Sequence, residues 1–125
     1  MKKPTIAIGF GVLLLVTTLL MGAAVKPSTV IHVVTVKWVD GTTREQIDAV
    51  FRSLEAMADE YPGIERVWLR SIKVQGTETG ATHAFVMEFS SEQALADYDG
   101  SEAQQKWYEA YLPIRDQSRT FDITN

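Results

Sequence analysis

The chain has 125 residues, 46% hydrophobic and 22% charged, with 12 basic and 16 acidic side chains and no cysteine. That length holds one domain, and that mixture excludes wholesale disorder, a collagen-like repeat and a disulfide-stapled scaffold. A net charge of −4 argues against a nucleic-acid binder, which needs a basic surface facing phosphate.

Met1-Lys2-Lys3 open onto an uncharged run centred on Val12-Leu13-Leu14-Leu15-Val16, which closes on Gly22-Ala23-Ala24. A basic start, an apolar middle and a small-residue exit describe a secretory signal peptide, with cleavage expected after Ala24. Residues 4–25 carry no charge, and about 20 apolar residues suffice to span a bilayer, so a retained membrane anchor is the alternative. The expected organisation is therefore a leader over 1–24, a linker over 25–29 and a domain over 30–125, exported to the periplasm or the extracellular space. Cleavage removes Lys2 and Lys3, which leaves 10 basic against 16 acidic residues and a net charge of −6.

The β-branched stretch from Val30 to Val39 predicts a strand with Val30, His32, Val34, Val36 and Trp38 on one face. Both faces are largely apolar near its start, as in a central strand. Asp40-Gly41 breaks it. A capping box, Thr42 with Glu45 or Thr43 with Gln46, then starts an amphipathic helix. Ile47, Val50, Phe51, Leu54, Met57, Ala58 and Tyr61 form its apolar stripe, and Pro62-Gly63 ends it. Ile64 to Val74 predicts a second strand, with Val67 and Leu69 on one face and Trp68, Arg70 and Ile72 on the other. Gln75 to Ala81 is turn chemistry. Thr82 to Phe89 predicts a third strand. Ser90-Ser91 restarts a helix through Ala94, Leu95 and Tyr98, Asp99-Gly100-Ser101 interrupts it, and Glu102 to Ile114 resumes it with Trp107 and Tyr111. A short strand, Thr120 to Ile123, closes the chain.

The order β-α-β-β-α-β predicts a ferredoxin-like α+β sandwich, a four-stranded antiparallel sheet with helices on one face. Nothing in the chain covers the other face, which carries Ile31, Val33, Trp68 and Ile72. An uncovered apolar face predicts a homodimer packed sheet to sheet.

Chemical groups are few. Without cysteine there is no thiol nucleophile and no Cys-based zinc site. His32 and His83 stand on strands without a metal-binding spacing, so no metal is expected. Gly76 and Gly80 fall in a hairpin rather than between strand and helix, so no nucleotide cofactor is expected either. His32 reads as a pocket base or a core histidine, and His83 as a structural residue. Phe51, Phe85, Tyr98, Trp107 and Tyr111 occur at core spacing, and an apolar pocket is built from the same residues.

Five segments, Ile31-His32-Val33-Val34, Tyr61-Pro62-Gly63-Ile64, Thr82 to Phe89, Ala94 to Tyr98 and Phe121-Asp122, are similar in order and spacing to the stress-responsive dimeric α/β-barrel (A/B barrel) family. The resemblance runs from Val30 to Ile123 and implies a dimer whose two sheets close into one barrel. A plant cyclase of that family works without a cofactor, by intramolecular aldol condensation. The resemblance carries its first-strand histidine to His32 and its pocket tyrosine to Tyr98, as catalytic candidates. It implies ligand-binding walls at Val34, Val36, Val50, Phe51, Leu54, Phe85 and Trp107, joined by His83 and Gln104. Family members commonly carry His-Pro-x-His after that tyrosine. This chain departs there: it reads Tyr98-Asp99-Gly100-Ser101-Glu102-Ala103-Gln104, and an amide is no base near neutral pH. The expected function is an exported dimeric A/B-barrel protein that binds a small apolar or aromatic ligand, or acts in stress response, without catalysis. The alternative is a cofactor-independent cyclase, isomerase or monooxygenase-type enzyme using His32 and Tyr98.

Overall fold

The computed structural model describes residues 27–70 and 79–125. The expected leader and most of the expected turn at 75–81 lie outside the described residues, as does Ile72. Among the described residues four strands and three helices follow in order: β1 (Val30–Trp38), α1 (Arg44–Glu60), β2 (Ile64–Trp68), β3 (His83–Phe89), α2 (Glu92–Tyr98), α3 (Glu102–Tyr111) and β4 (Arg115–Ile123). The sheet order is β2-β3-β1-β4 and every pairing is antiparallel, which is the ferredoxin-like α+β fold. None of the helices among the described residues is long and apolar enough to cross a membrane.

The β-branched β1 is central, paired with β3 on one side and β4 on the other. Its alternate residues Val30, Val34, Val36 and Trp38 are buried against the helices together with Phe85, Met87 and Phe89 of β3. From above come Val50, Leu54 and Met57 of α1, Tyr98 of α2, and Trp107 and Tyr111 of α3. Of the two capping boxes the sequence offers, Thr43 with Gln46 forms. The Gln46 N–H donates to Thr43 Oγ1 (3.3 Å) and the Thr43 N–H donates to Gln46 Oε1 (2.8 Å). Such a cap contributes about 1 kcal/mol.

After α1 the chain passes Gly63, where a Cβ would stand 2.5 Å from the Tyr61 ring and 3.0 Å from Ala94 Cβ. Only glycine allows that approach, which brings α1 close enough for the Tyr61 hydroxyl to donate to the Ala94 carbonyl (2.7 Å). Gly100, at a φ of +77°, joins α2 to α3 in the left-handed region that favours glycine. Ser91 and Ser101 cap α2 and α3 through the N–H groups of Ala94 and Gln104.

Three boundaries differ from the sequence expectation. β2 stops at Trp68 because its ladder ends where Trp68 meets Val86, and an edge strand is held from one side only. α3 stops at Tyr111 rather than Ile114, since Pro113 has no N–H to donate. β4 begins at Arg115, five residues earlier than expected. The stretch Arg115 to Arg119 has no apolar alternation, yet backbone bonds to β1 hold it as an edge strand.

On the face away from the helices, Trp68, Phe121 and Ile123 are 49%, 55% and 56% exposed. Glu88 lies on that face too, nearly fully buried. Its carboxylate accepts from Arg66 Nε (2.5 Å) and Thr29 Oγ1 (2.8 Å), and those two bonds hold its pKa below the usual carboxylate range.

Candidate functional site

On the helix side, the sheet and the α2–α3 pair enclose a cavity of about 420 Å³. β1 contributes His32 and Val34 to its lining, and β3 contributes Phe85 and Met87. Ser118, Thr120 and Asp122 of β4 line its edge. Tyr98 of α2 and Gln104, Trp107, Tyr108 and Tyr111 of α3 form the opposite wall, with Arg115 at the start of β4.

His32 and Asp122 face each other directly across the β1–β4 ladder. His32 Nδ1 stands 2.6 Å from Asp122 Oδ1. A carboxylate only accepts, so Nδ1 carries the hydrogen and donates it. Among the described residues Nε2 has no hydrogen-bond partner. The ring is also held edge-on against Phe89, with centroids 5.9 Å apart. This is the arrangement of an oriented general base, with the acid fixing the tautomer and the other nitrogen open.

The Tyr98 hydroxyl is buried and accepts from Trp107 Nε1 at 2.7 Å. Burial pushes its pKa far above the ordinary phenol value. Tyr98 therefore stays a phenol with a hydrogen to give, and it can polarise a ligand oxygen but not act as a base. Gln104 occupies the place where the resemblance puts a general base, and its amide is engaged on both sides. The Gly100 N–H donates to Oε1 (2.7 Å), and Nε2 donates to the Tyr108 hydroxyl (3.2 Å). Its side chain braces the α2–α3 junction.

The structure gathers His32, Val34, Phe85, Tyr98, Gln104 and Trp107 around this cavity, and it does not bring the other expected wall residues there. Val36, Val50 and Leu54 are fully buried core residues. Phe51 packs edge-on against Trp38, with centroids 6.3 Å apart. His83 accepts at Nδ1 from Trp38 Nε1 (2.8 Å). Periodicity puts all five on the helix side of the fold, but they lie away from the opening between β4 and α3. Conversely, Asp122, Arg115 and Tyr108 line the cavity without having been singled out as site residues. The ferredoxin-like order sets the last strand beside the first, and the register then puts Asp122 opposite His32. Among the described residues no group of three His, Asp or Glu could hold a metal ion.

A family model for the stress responsive A/B barrel domain matches residues 30–125. The chain belongs to that family. No curated protein matches it. Solved structures similar to this A/B-barrel chain include hydroxynitrile lyase from Passiflora edulis, with 16% identity and a TM-score of 0.70 over 79% of this chain and 94% of that one. A dimeric ferredoxin-like protein of unknown function from Thermobifida fusca has 13% identity and a TM-score of 0.67 over 79% and 92%. A mutant of SnoaB, a cofactor-independent oxygenase from Streptomyces nogalater, has 13% identity and a TM-score of 0.63 over 78% and 93%. At these identities the likeness is one of fold.

Proposed function

We propose that this A/B-barrel domain binds a small, largely aromatic or apolar molecule between its sheet and the α2–α3 pair. The observation that carries this is the cavity of about 420 Å³, with Val34, Phe85, Met87 and Trp107 as apolar walls and a few convergent polar groups. Small-molecule sites run from roughly 300 to 1,000 Å³ with this kind of lining. The protein acts as an exported homodimer. Export rests on the charge and apolar pattern of residues 1–24, and dimerisation on the uncovered apolar sheet face together with the dimeric neighbour of the same fold.

Binding to the folded state raises stability, so a thermal-shift screen against aromatic and polyketide-like acids tests the reading. At least one compound stabilises the wild type. The same compound loses its effect on Thr120→Trp, which fills the cavity from an exposed position on the edge strand. A screen in which no compound shifts the transition rejects the reading.

The His32–Asp122 pair favours a second reading, cofactor-independent catalysis of proton transfer. His32 Nε2 would take a proton from carbon next to a carbonyl while the Tyr98 phenol donates a hydrogen bond to the developing enolate oxygen. Deuterium exchange into an aryl methyl ketone, followed by NMR, reads this step directly. On this reading His32→Ala abolishes the exchange and Asp122→Asn lowers it about 100-fold or more. Exchange that persists in His32→Ala rejects it.

A further inference from the structure

Arg115 and Tyr111 have buried polar atoms that the fold holds only loosely, with no well-formed hydrogen bond among the described residues. Tyr111 ends α3 and is 2% exposed, and its hydroxyl makes no hydrogen bond among the described residues, although Ser118 and Arg115 stand near it. Arg115 Nε is likewise buried without a partner. The guanidinium lies 5.6 Å from the centroid of the Tyr111 ring, so the two groups are adjacent. Among the described residues no carboxylate pairs with Arg115, as with Arg52, Arg70 and Arg119, but of these four Arg115 alone lines the cavity. The β1–β4 register shifts between Lys37 and Trp38, and it is there that Arg115 is set opposite Trp38, on the helix side. Irregularities of this kind at sheet edges re-aim side chains. Both residues line the cavity.

Native proteins rarely bury a donor without giving it an acceptor. One planar anion answers both groups, accepting from Arg115 Nε–H and from the Tyr111 hydroxyl in charge-assisted bonds. The cavity favours a single negative charge over a phosphate dianion. It offers one cation, and the Asp99 and Asp122 side chains also line it. Its apolar walls ask for a ring or chain behind the charge.

We infer that Arg115 and Tyr111 form a carboxylate subsite, and that the ligand of this cavity is an aromatic acid whose carboxylate sits between the guanidinium and the phenol. The inference rests on the reading that the cavity binds a ligand, and deepens it. Arg115 and Asp122 are seven residues apart on one strand, about 23 Å along it. The acid therefore lies lengthwise, its ring passing Ser118 and Thr120 toward His32.

Calorimetric titration of the full chain with 2-naphthoate and 6-phenylhexanoate, each beside its uncharged primary amide, tests this. An acid binds the wild type about 10- to 100-fold more tightly than its amide, the range of a hydrogen bond to a charged group. Arg115→Met abolishes that preference by weakening the acid and leaving the amide unchanged, and Arg115→Lys keeps part of it. Tyr111→Phe reduces the preference. Acid and amide binding alike would overturn the subsite while the cavity reading stands, as would a preference that survives Arg115→Met. Failure of acids and amides together would overturn the cavity reading, and this inference with it.

Discussion

His32 and His83 lie on the same side of the sheet and have opposite chemistry. His32 donates from Nδ1 to a carboxylate, so its other nitrogen is open. His83 accepts at Nδ1 from the Trp38 indole N–H, so that nitrogen cannot carry a hydrogen while the contact lasts. Burial lowers the pKa of His83 below 6.5, and the more distant Asp48 only partly opposes this. The unfolded chain therefore takes up this proton before the folded one does. The resulting contribution to stability is fully present above the unfolded value and is lost as pH falls from there through the folded pKa. The melting temperature is expected to fall between about pH 7 and pH 5, above the range where Glu88 and other carboxylates titrate. In His83→Gln, whose amide oxygen can still accept from Trp38, the slope over that interval flattens. Scanning calorimetry across the interval decides it, and equal slopes in the two proteins would remove His83 as the source.

At the scale of elements, what the sequence made legible follows the strength of each periodic signal. The α1 stripe, the break at Asp99-Gly100 and the apolar alternation of β1 come from side chains that must be buried, and the structure buries them. The sequence pattern marks only the second half of β4, because its first half is polar on both faces. Arg115, Ser118 and Thr120 face a cavity rather than a packed core, so no hydrophobic alternation marks them. The expected β2 runs past Trp68, where its pairing with β3 ends although β3 itself continues to His83; where an edge strand leaves its partner is a long-range fact. The candidate site divides the same way. His32, Val34, Phe85, Tyr98 and Trp107 were legible from face alternation and family likeness. Asp122 and Arg115 became visible only through strand register, which pairs them with His32 and Trp38. The resemblance implies Val36, Val50 and Leu54 as cavity walls and periodicity agrees that they face the helices, but neither tells which part of the covered side stays open.

At the scale of the whole molecule, one sheet face is covered and the other bare among the described residues, which leaves a definite requirement. Trp68 on β2 and Phe121 and Ile123 on β4 are about half exposed, and Ile31, Val33 and Val86 lie between them in the strand register. An apolar surface spread across the sheet in this way is unusual for a monomer. Glu88, the one buried carboxylate on this face among the described residues, already has Arg66 and Thr29 as partners, so a second sheet can cover it without stranding a charge. We therefore expect light scattering at micromolar concentration to give the mass of two chains. Truncating a buried phenylalanine removes about 1.5–3 kcal/mol of burial, and two-fold symmetry counts Phe121→Ala twice. The dimer's dissociation constant should then rise by at least about 100-fold. Leu112→Ala provides the comparison: it removes an exposed apolar side chain that lies beyond the end of α3 rather than on this face, and it should leave the dimer intact. A wild-type mass of one chain would reject the paired sheets, and dissociation caused equally by both substitutions would place the interface elsewhere.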